Sequence, residues 1–205
     1  FVVINSGANV NFDRLRHIAE RAELGEKREV LFAATIEEKA GSFQRFCQIL
    51  AERSVTEFNY RYADSGSAQV FVGIQTQGGS SERGVLFNTL EQAGYALVDF
   101  TDNEAAKSHV RYMVGGHAQH VQDERLYRFE FPERPGALLR FLTRMGERWN
   151  ISLFHYRNHG AAYGRVLLGA QVKEDEIVEF HGFLKALGYV FCDETDNPAY
   201  RLFLS

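Results

Sequence analysis

Two glycine turns carry the residue types from which a binding site could be built. The first reads Glu37-Glu38-Lys39-Ala40-Gly41-Ser42-Phe43, the second Pro132-Glu133-Arg134-Pro135-Gly136-Ala137-Leu138. In both, glycine falls where an apolar strand pattern gives way to a helical one. Without a side chain there, another group can approach the backbone closely. The unpaired N–H groups of a helix start favour a carboxylate. That chemistry suits the holding of an amino acid. A glycine that merely makes the turn has the same spacing, so the residues alone leave both readings open.

Other reactive residue types are present without the company that catalysis needs. The histidines are His17, His109, His117, His120, His155, His159 and His181. His117 and His120 share the segment Gly115-Gly-His-Ala-Gln-His120, a loop by composition, and no cysteine or carboxylate cluster joins them as metal ligands would. Cys47 and Cys192 have no Cys-x-x-Cys partner and read as core residues, reduced thiols of a cytoplasmic protein. Tyr60, Tyr62, Phe71 and Tyr156 could imitate the stacking aromatics of an RNA binder, but a net charge of −4 lacks the basic face that goes with them. No apolar run approaches a membrane span. Neither a nucleic-acid partner nor a membrane is expected, and no catalytic residue or metal ligand stands out.

What must position the turns is a duplication. Glu38, Gly41, Arg45, Phe46 and Arg53 recur 95 places on as Glu133, Gly136, Arg140, Phe141 and Arg148. Phe58, Tyr60, Arg61, Val70, Gly73 and Gln75 recur at 96 as Phe154, Tyr156, Arg157, Val166, Gly169 and Gln171; Gly94-Tyr95 and Thr101-Asp102-Asn103 recur at 94 as Gly188-Tyr189 and Thr195-Asp196-Asn197. Such a period exceeds that of a solenoid and marks a duplicated domain. Each copy alternates strand and helix patterns in the order strand, helix, strand, strand, helix, strand. Phe43, Phe46, Cys47 and Leu50 line one face of the first helix, and Leu138, Phe141, Leu142 and Met145 line its counterpart. The fold class is therefore α+β, two tandem ferredoxin-like βαββαβ units with antiparallel sheets and both helices on one face. Residues 1–27 read as a neck with one helix, 28–115 as the first unit and 116–205 as the second. Val110–Val114 and Leu202–Leu204 are expected to add a fifth, edge strand to each unit.

With these residues in view, a resemblance is evident. The glycine turns resemble those of ACT-type amino-acid-sensing domains. Arg53-Ser-Val-Thr-Glu-Phe-Asn-Tyr-Arg61, Val110-Arg-Tyr-Met-Val-Gly-Gly116, Asn150-Ile-Ser-Leu-Phe-His-Tyr-Arg157 and Asp193-Glu-Thr-Asp-Asn-Pro198 are similar to the regulatory region of biosynthetic threonine deaminases. Ser6-Gly-Ala-Asn-Val-Asn-Phe12 resembles their segment between catalytic and regulatory parts. The resemblance implies an allosteric domain of a lyase that converts threonine to 2-oxobutanoate and ammonia, the first committed step towards isoleucine. It implies L-isoleucine as feedback inhibitor, L-valine as its antagonist, and a homo-oligomer, tetrameric when full length. Pyridoxal phosphate and its lysine would belong to the catalytic domain upstream. The lysines here, Lys27, Lys39, Lys107, Lys173 and Lys185, stand in no such context, so this chain is expected to sense and not to catalyse. The first turn departs from the family in having Ala40 in an acidic loop, without a proline like Pro132.

Carried over by the same resemblance, two equivalent effector sites are implied. One would use Glu38, Gly41, Phe43, Arg53, Asn59 and Tyr60; the other Glu133, Gly136, Leu138, His155 and Tyr156. A helix-start N–H and Arg53 would meet the carboxylate, Glu133 or strand carbonyls the ammonium, and Phe43 and Leu138 the aliphatic chain. Phe43 and Leu138 equally suit a helix core face, the tyrosines equally suit burial on strands, and Arg53 equally suits a solvated helix end. A module that mainly holds an oligomer together through its edge strands is the alternative function.

Overall fold

Alternation of apolar and polar residues in the strands, and 3.6-residue periodicity in the helices, fold this chain into a single sheet with the helices of the two βαββαβ repeats against one face. The computed structural model describes residues 28–51, 53–63, 66–76, 80–118, 121–132, 136–145, 148–158 and 163–204. The neck expected over 1–27, with the segment at 6–12 that resembles the join between catalytic and regulatory parts, lies outside them.

The first half contains β1 (Glu29–Glu37), α1 (Ser42–Leu50), β2 (Val55–Arg61), β3 (Ser67–Gln75), α2 (Ser80–Gln92) and β4 (Ala96–Asp99). The second repeats it with β5 (Glu124–Pro132), α4 (Ala137–Met145), β6 (Ile151–Arg157), β7 (Tyr163–Gln171), α5 (Ile177–Leu187) and β8 (Val190–Asp193). Between them stand α3 (Glu104–Ser108) and a 3-10 turn over Val110–Tyr112, and α6 (Pro198–Phe203) follows β8.

Two ferredoxin-like sheets are joined edge to edge. The strand order is β4-β1-β3-β2-β6-β7-β5-β8, antiparallel throughout. The junction is the β2–β6 ladder, in which Phe58 faces Tyr156, Asn59 faces His155 and Tyr60 faces Phe154. Asn59 and His155 are each other's counterparts in the repeat, so a pseudo-twofold axis passes between them.

The core ignores the boundary between the halves. Phe58 and Phe154 meet edge to face at 5.6 Å, and Phe43 of α1 stacks at 6.4 Å on Phe154 of β6. Phe43, Phe46, Cys47 and Leu50 of α1 and Leu138, Phe141, Leu142 and Met145 of α4 are all buried, as their spacing predicts. Each large apolar side chain so buried contributes about 1.5–3 kcal/mol.

The expected fifth strands do not form. Asn103 accepts from the Ala106 N–H and Asn197 from the Ala199 N–H, so each Thr-Asp-Asn turn caps a helix, α3 or α6. Pro198 in the first turn of α6 reinforces this, because it lacks the N–H that a ladder would need. The sheet therefore ends at β4 and β8. Cys47 is buried, as expected of a core residue, whereas Cys192, on edge strand β8, is exposed and corrects the same expectation.

Candidate functional site

Because the axis lies between β2 and β6, it brings the C-terminal end of each half's first helix against the glycine turn of the other half. Two hollows result, both at the α1–α4 seam. One lies between Cys47, Leu50, Arg53, Ser54 and Val55 of the first half and Gly136, Leu138 and Tyr156 of the second. The other lies between Lys39, Gly41, Phe43 and Gln44 of the first half and Leu142, Met145, Trp149, Asn150 and Ile151 of the second. Concave, mostly apolar clefts with a few polar groups are where small ligands bind.

Glycine is required at both turns. Gly41 has φ 83° and Gly136 φ 72°, a left-handed backbone that side chains disfavour. Each turns the chain so that the following helix opens beside the cleft.

Glu38 sits beside the Gly41 hollow, half-buried and already engaged. It accepts the Tyr60 hydroxyl on Oε2 and the Asn150 Nδ2 at 3.0 Å on Oε1. Burial first, then the Glu38 carboxylate, raises the Tyr60 phenol well above its ordinary value, so it remains a donor. Phe43 is buried with its ring 4.7 Å from Tyr60, serving core and cleft wall at once. At the Gly136 hollow, Leu138 is a buried wall residue and the Tyr156 hydroxyl donates to Val55 O at 3.3 Å. Among the described residues, Arg53 donates long bonds of 3.4 and 3.3 Å to the carbonyls of Ile49 and Leu50. Such bonds are weak and readily exchanged for a carboxylate.

The residues are thus brought together differently from the expected grouping. Arg53 does not join Gly41 and Tyr60 but faces Gly136, Leu138 and Tyr156. Asn59 and His155 belong to neither hollow: strand alternation points them away from Tyr60 and Tyr156. Asn59 is buried and donates to Glu57 Oε1 at 2.7 Å, while His155 is exposed. Glu133 lies outside the described residues. Asn150, Trp149, Ile151 and Ser54 were not singled out from the sequence. The repeat alone could not have found them, since their places follow from the pairing of β2 with β6.

The opposite face of the sheet holds two buried charge clusters that belong to no cleft. Arg61 binds both oxygens of Glu124, which also accepts the Ser152 and Tyr200 hydroxyls. Burial pushes the Glu124 carboxyl upward, but these hydrogen bonds outweigh it and hold it below its ordinary value. Arg111 bridges Glu57 and Glu29. There burial prevails over the guanidinium, and the Glu57 carboxyl is raised. Among the described residues no His, Cys, Asp and Glu group has metal-site geometry, and no helix is long and apolar enough to cross a membrane.

Duplicated βαββαβ units sharing one sheet, with paired clefts at the glycine turns, define a tandem ACT-like regulatory domain. The model of the C-terminal regulatory domain of threonine dehydratase matches residues 20–110 and again 115–204, and the chain belongs to that family. It is 55% identical over 204 residues to the biosynthetic L-threonine dehydratase IlvA of Burkholderia multivorans, covering 100% of this chain and 40% of that protein. Against IlvA of Escherichia coli it is 57% identical over 202 residues, 98% of this chain and 39% of the relative. The mitochondrial threonine dehydratase of Saccharomyces cerevisiae is 47% identical over 212 residues, 100% of this chain and 37% of its own length. The chain therefore spans about two fifths of these relatives and corresponds to their C-terminal regulatory region.

Proposed function

We propose that the chain senses branched-chain amino acids for a biosynthetic threonine dehydratase, taking L-isoleucine as inhibitor and L-valine as antagonist in the two clefts at the α1–α4 seam. The observation that carries this reading is the construction of each cleft: a glycine turn from one half, an apolar wall from both, and charged or amide groups at the rim. Arg53 and the start of α4 suit a carboxylate at one cleft. Leu138 and Leu50, or Phe43 and Leu142, enclose an aliphatic side chain.

Isoleucine and valine differ by one methylene, worth about 1–3 kcal/mol in an apolar pocket. Opposite effects therefore require that the two ligands favour different conformations, since a ligand shifts an equilibrium only by its differential affinity. The β2–β6 ladder fixes the halves along the sheet, so the separation of α1 from α4 is the coordinate a ligand in the clefts can change. That change would be passed to the remaining length of the enzyme, where threonine is converted and pyridoxal phosphate is bound. The described lysines do not fit that cofactor: Lys39, Lys173 and Lys185 are exposed and Lys107 stands in the last turn of α3.

Isothermal titration of the folded chain with L-isoleucine, L-valine and L-leucine tests the reading. Saturable isoleucine binding with valine competing and leucine much weaker is expected. Absence of heat at millimolar isoleucine would refute it.

A further inference from the structure

The connection from α1 to β2 passes through a backbone conformation that its residue type disfavours. Ala51 follows the last turn of α1 with φ 54° and ψ −127°. That pairing lies beyond the small left-handed basin that other residues enter, in territory open chiefly to glycine. An alanine held there is strained, and such strain persists only where the surroundings over-determine it.

Those surroundings act from both sides. The Ala51 N–H donates to Cys47 O at 3.1 Å, closing α1, and the Arg53 N–H donates to Leu50 O at 3.2 Å. Just beyond, Ser54 O accepts from the Gln75 N–H at 2.9 Å, and Val55 O accepts the Tyr156 hydroxyl at 3.3 Å. The chain has only residues 51–53 in which to pass from the helix to a strand fixed by β3 and by the other half. Packing is not what holds the residue, for Ala51 is exposed at the wall of the Gly136 cleft. The strain comes from where α1 sits against the sheet.

The second copy has a different residue at this point. Arg53 corresponds to Arg148 at an offset of 95, which sets Gly146 opposite Ala51. Glycine carries little penalty at positive φ. The penalty therefore falls on the α1 side of the seam and not on the α4 side.

A shift of α1 relative to the sheet is the movement that relaxes Ala51, and the same shift changes the separation of α1 from α4. We infer that Ala51 is a positioning residue of the clefts, its strain biasing α1 away from its present place. A ligand that displaces α1 is then bound more tightly than the cleft contacts alone would give. A ligand that leaves α1 in place gains nothing, so the effect is differential. Isoleucine, one methylene longer than valine, displaces α1 further and gains more. This deepens the amino-acid-sensing reading and rests on it.

Ala51→Gly tests the inference, since it removes an exposed methyl group and frees the backbone. Glycine at an unstrained position lowers stability by giving the unfolded chain more freedom. Here the Tm, followed by circular dichroism, is expected to rise by about 2–4 °C. Calorimetry with L-isoleucine and with L-valine is then run on both chains. Isoleucine binding should weaken about 5- to 150-fold, the range spanned by relief of one strained residue, and valine binding less. The isoleucine-to-valine affinity ratio therefore falls. A lowered Tm would show Ala51 to be unstrained and overturn the inference. With a wild type that binds both amino acids, a ratio that stays level or rises overturns this inference alone. If the folded wild type binds neither, the sensing function fails and this inference with it.

Discussion

Replacing Arg61 by methionine should markedly destabilise the chain, because it breaks a buried ion pair on the face of the sheet away from α1 and α4. Arg61 ends β2 with its side chain 5% exposed, against 6% for Glu124. Besides both Glu124 oxygens it donates to Leu204 O at 2.6 Å, Gly116 O at 3.0 Å and Ser152 O at 3.3 Å. One side chain of the first half thus ties together the connection between halves, β5, β6 and the chain beyond α6. Methionine preserves the apolar stem but leaves Glu124 with only the Ser152 and Tyr200 hydroxyls. Removing one partner of a buried pair costs about 3–5 kcal/mol, and the two remaining donors set the value at the lower end, about 3 kcal/mol. For a chain of this size that is a fall of roughly 6–12 °C in Tm. Glu124 titrates below its ordinary value when folded, so its ionised form stabilises the fold above that ordinary value and the contribution is lost as pH falls through the lower, folded one. The gap between wild type and Arg61→Met should therefore be widest near neutrality and close in acid. Urea unfolding followed by circular dichroism at pH 7 and in steps below pH 4.5 measures it. Adding Glu124→Leu should recover much of the loss, because an apolar pair replaces an uncompensated charge. A deficit under about 1 kcal/mol at pH 7, far short of the cost of breaking a buried pair, would refute the argument, as would one that does not narrow in acid.

Other consequences are as direct. Gly169→Ala would put a Cβ 2.9 Å from Leu153 Cβ on the neighbouring strand, which no rotation can relieve, and should cost about 1–3 kcal/mol in urea unfolding. Gly73→Ala meets the Thr56 hydroxyl and the ends of Glu29 and Leu31, which can turn aside, and should cost less in the same assay. Phe43→Ala removes a ring packed on Phe58, Tyr60 and Phe154 and should lower stability by about 3–5 kcal/mol, so thermal unfolding must accompany any binding measurement on it. Leu138→Phe should fill the Gly136 cleft and weaken isoleucine binding in calorimetry while the chain stays folded; unchanged affinity would remove Leu138 from the site.

The duplication, the βαββαβ order and the buried helix faces were legible because each rests on local periodicity. The segments after Thr101-Asp102-Asn103 and Thr195-Asp196-Asn197 misled because Val110–Val114 and Leu202–Leu204 are apolar enough for strands, whereas the asparagine caps decide for helices. A cap is a stronger local instruction than a short, largely apolar run. Asn59 and His155 could have been separated from the tyrosines by strand alternation alone, without any structure. The partnership of Arg53 with Gly136 could not, since it depends on which edges of the two sheets meet.

That junction is also what makes the clefts suitable for regulation. Pairing β2 with β6 about an axis through Asn59 and His155 gives the two clefts similar backbones, with a left-handed glycine and a helix start at each. It simultaneously builds each cleft from both copies, so neither can be filled without acting on the α1–α4 seam. Duplication supplies the likeness, and the later divergence of Arg53-Ser54 from Arg148-Trp149-Asn150, with Trp149 inserted, supplies the difference. Isoleucine and valine carry the same charged groups, so under the proposed function they are told apart at the apolar walls, which the two clefts build from different residues. On that reading, a side chain one methylene longer in a cleft shared by both halves favours a different separation of α1 from α4, which is how two competing ligands act in opposite directions.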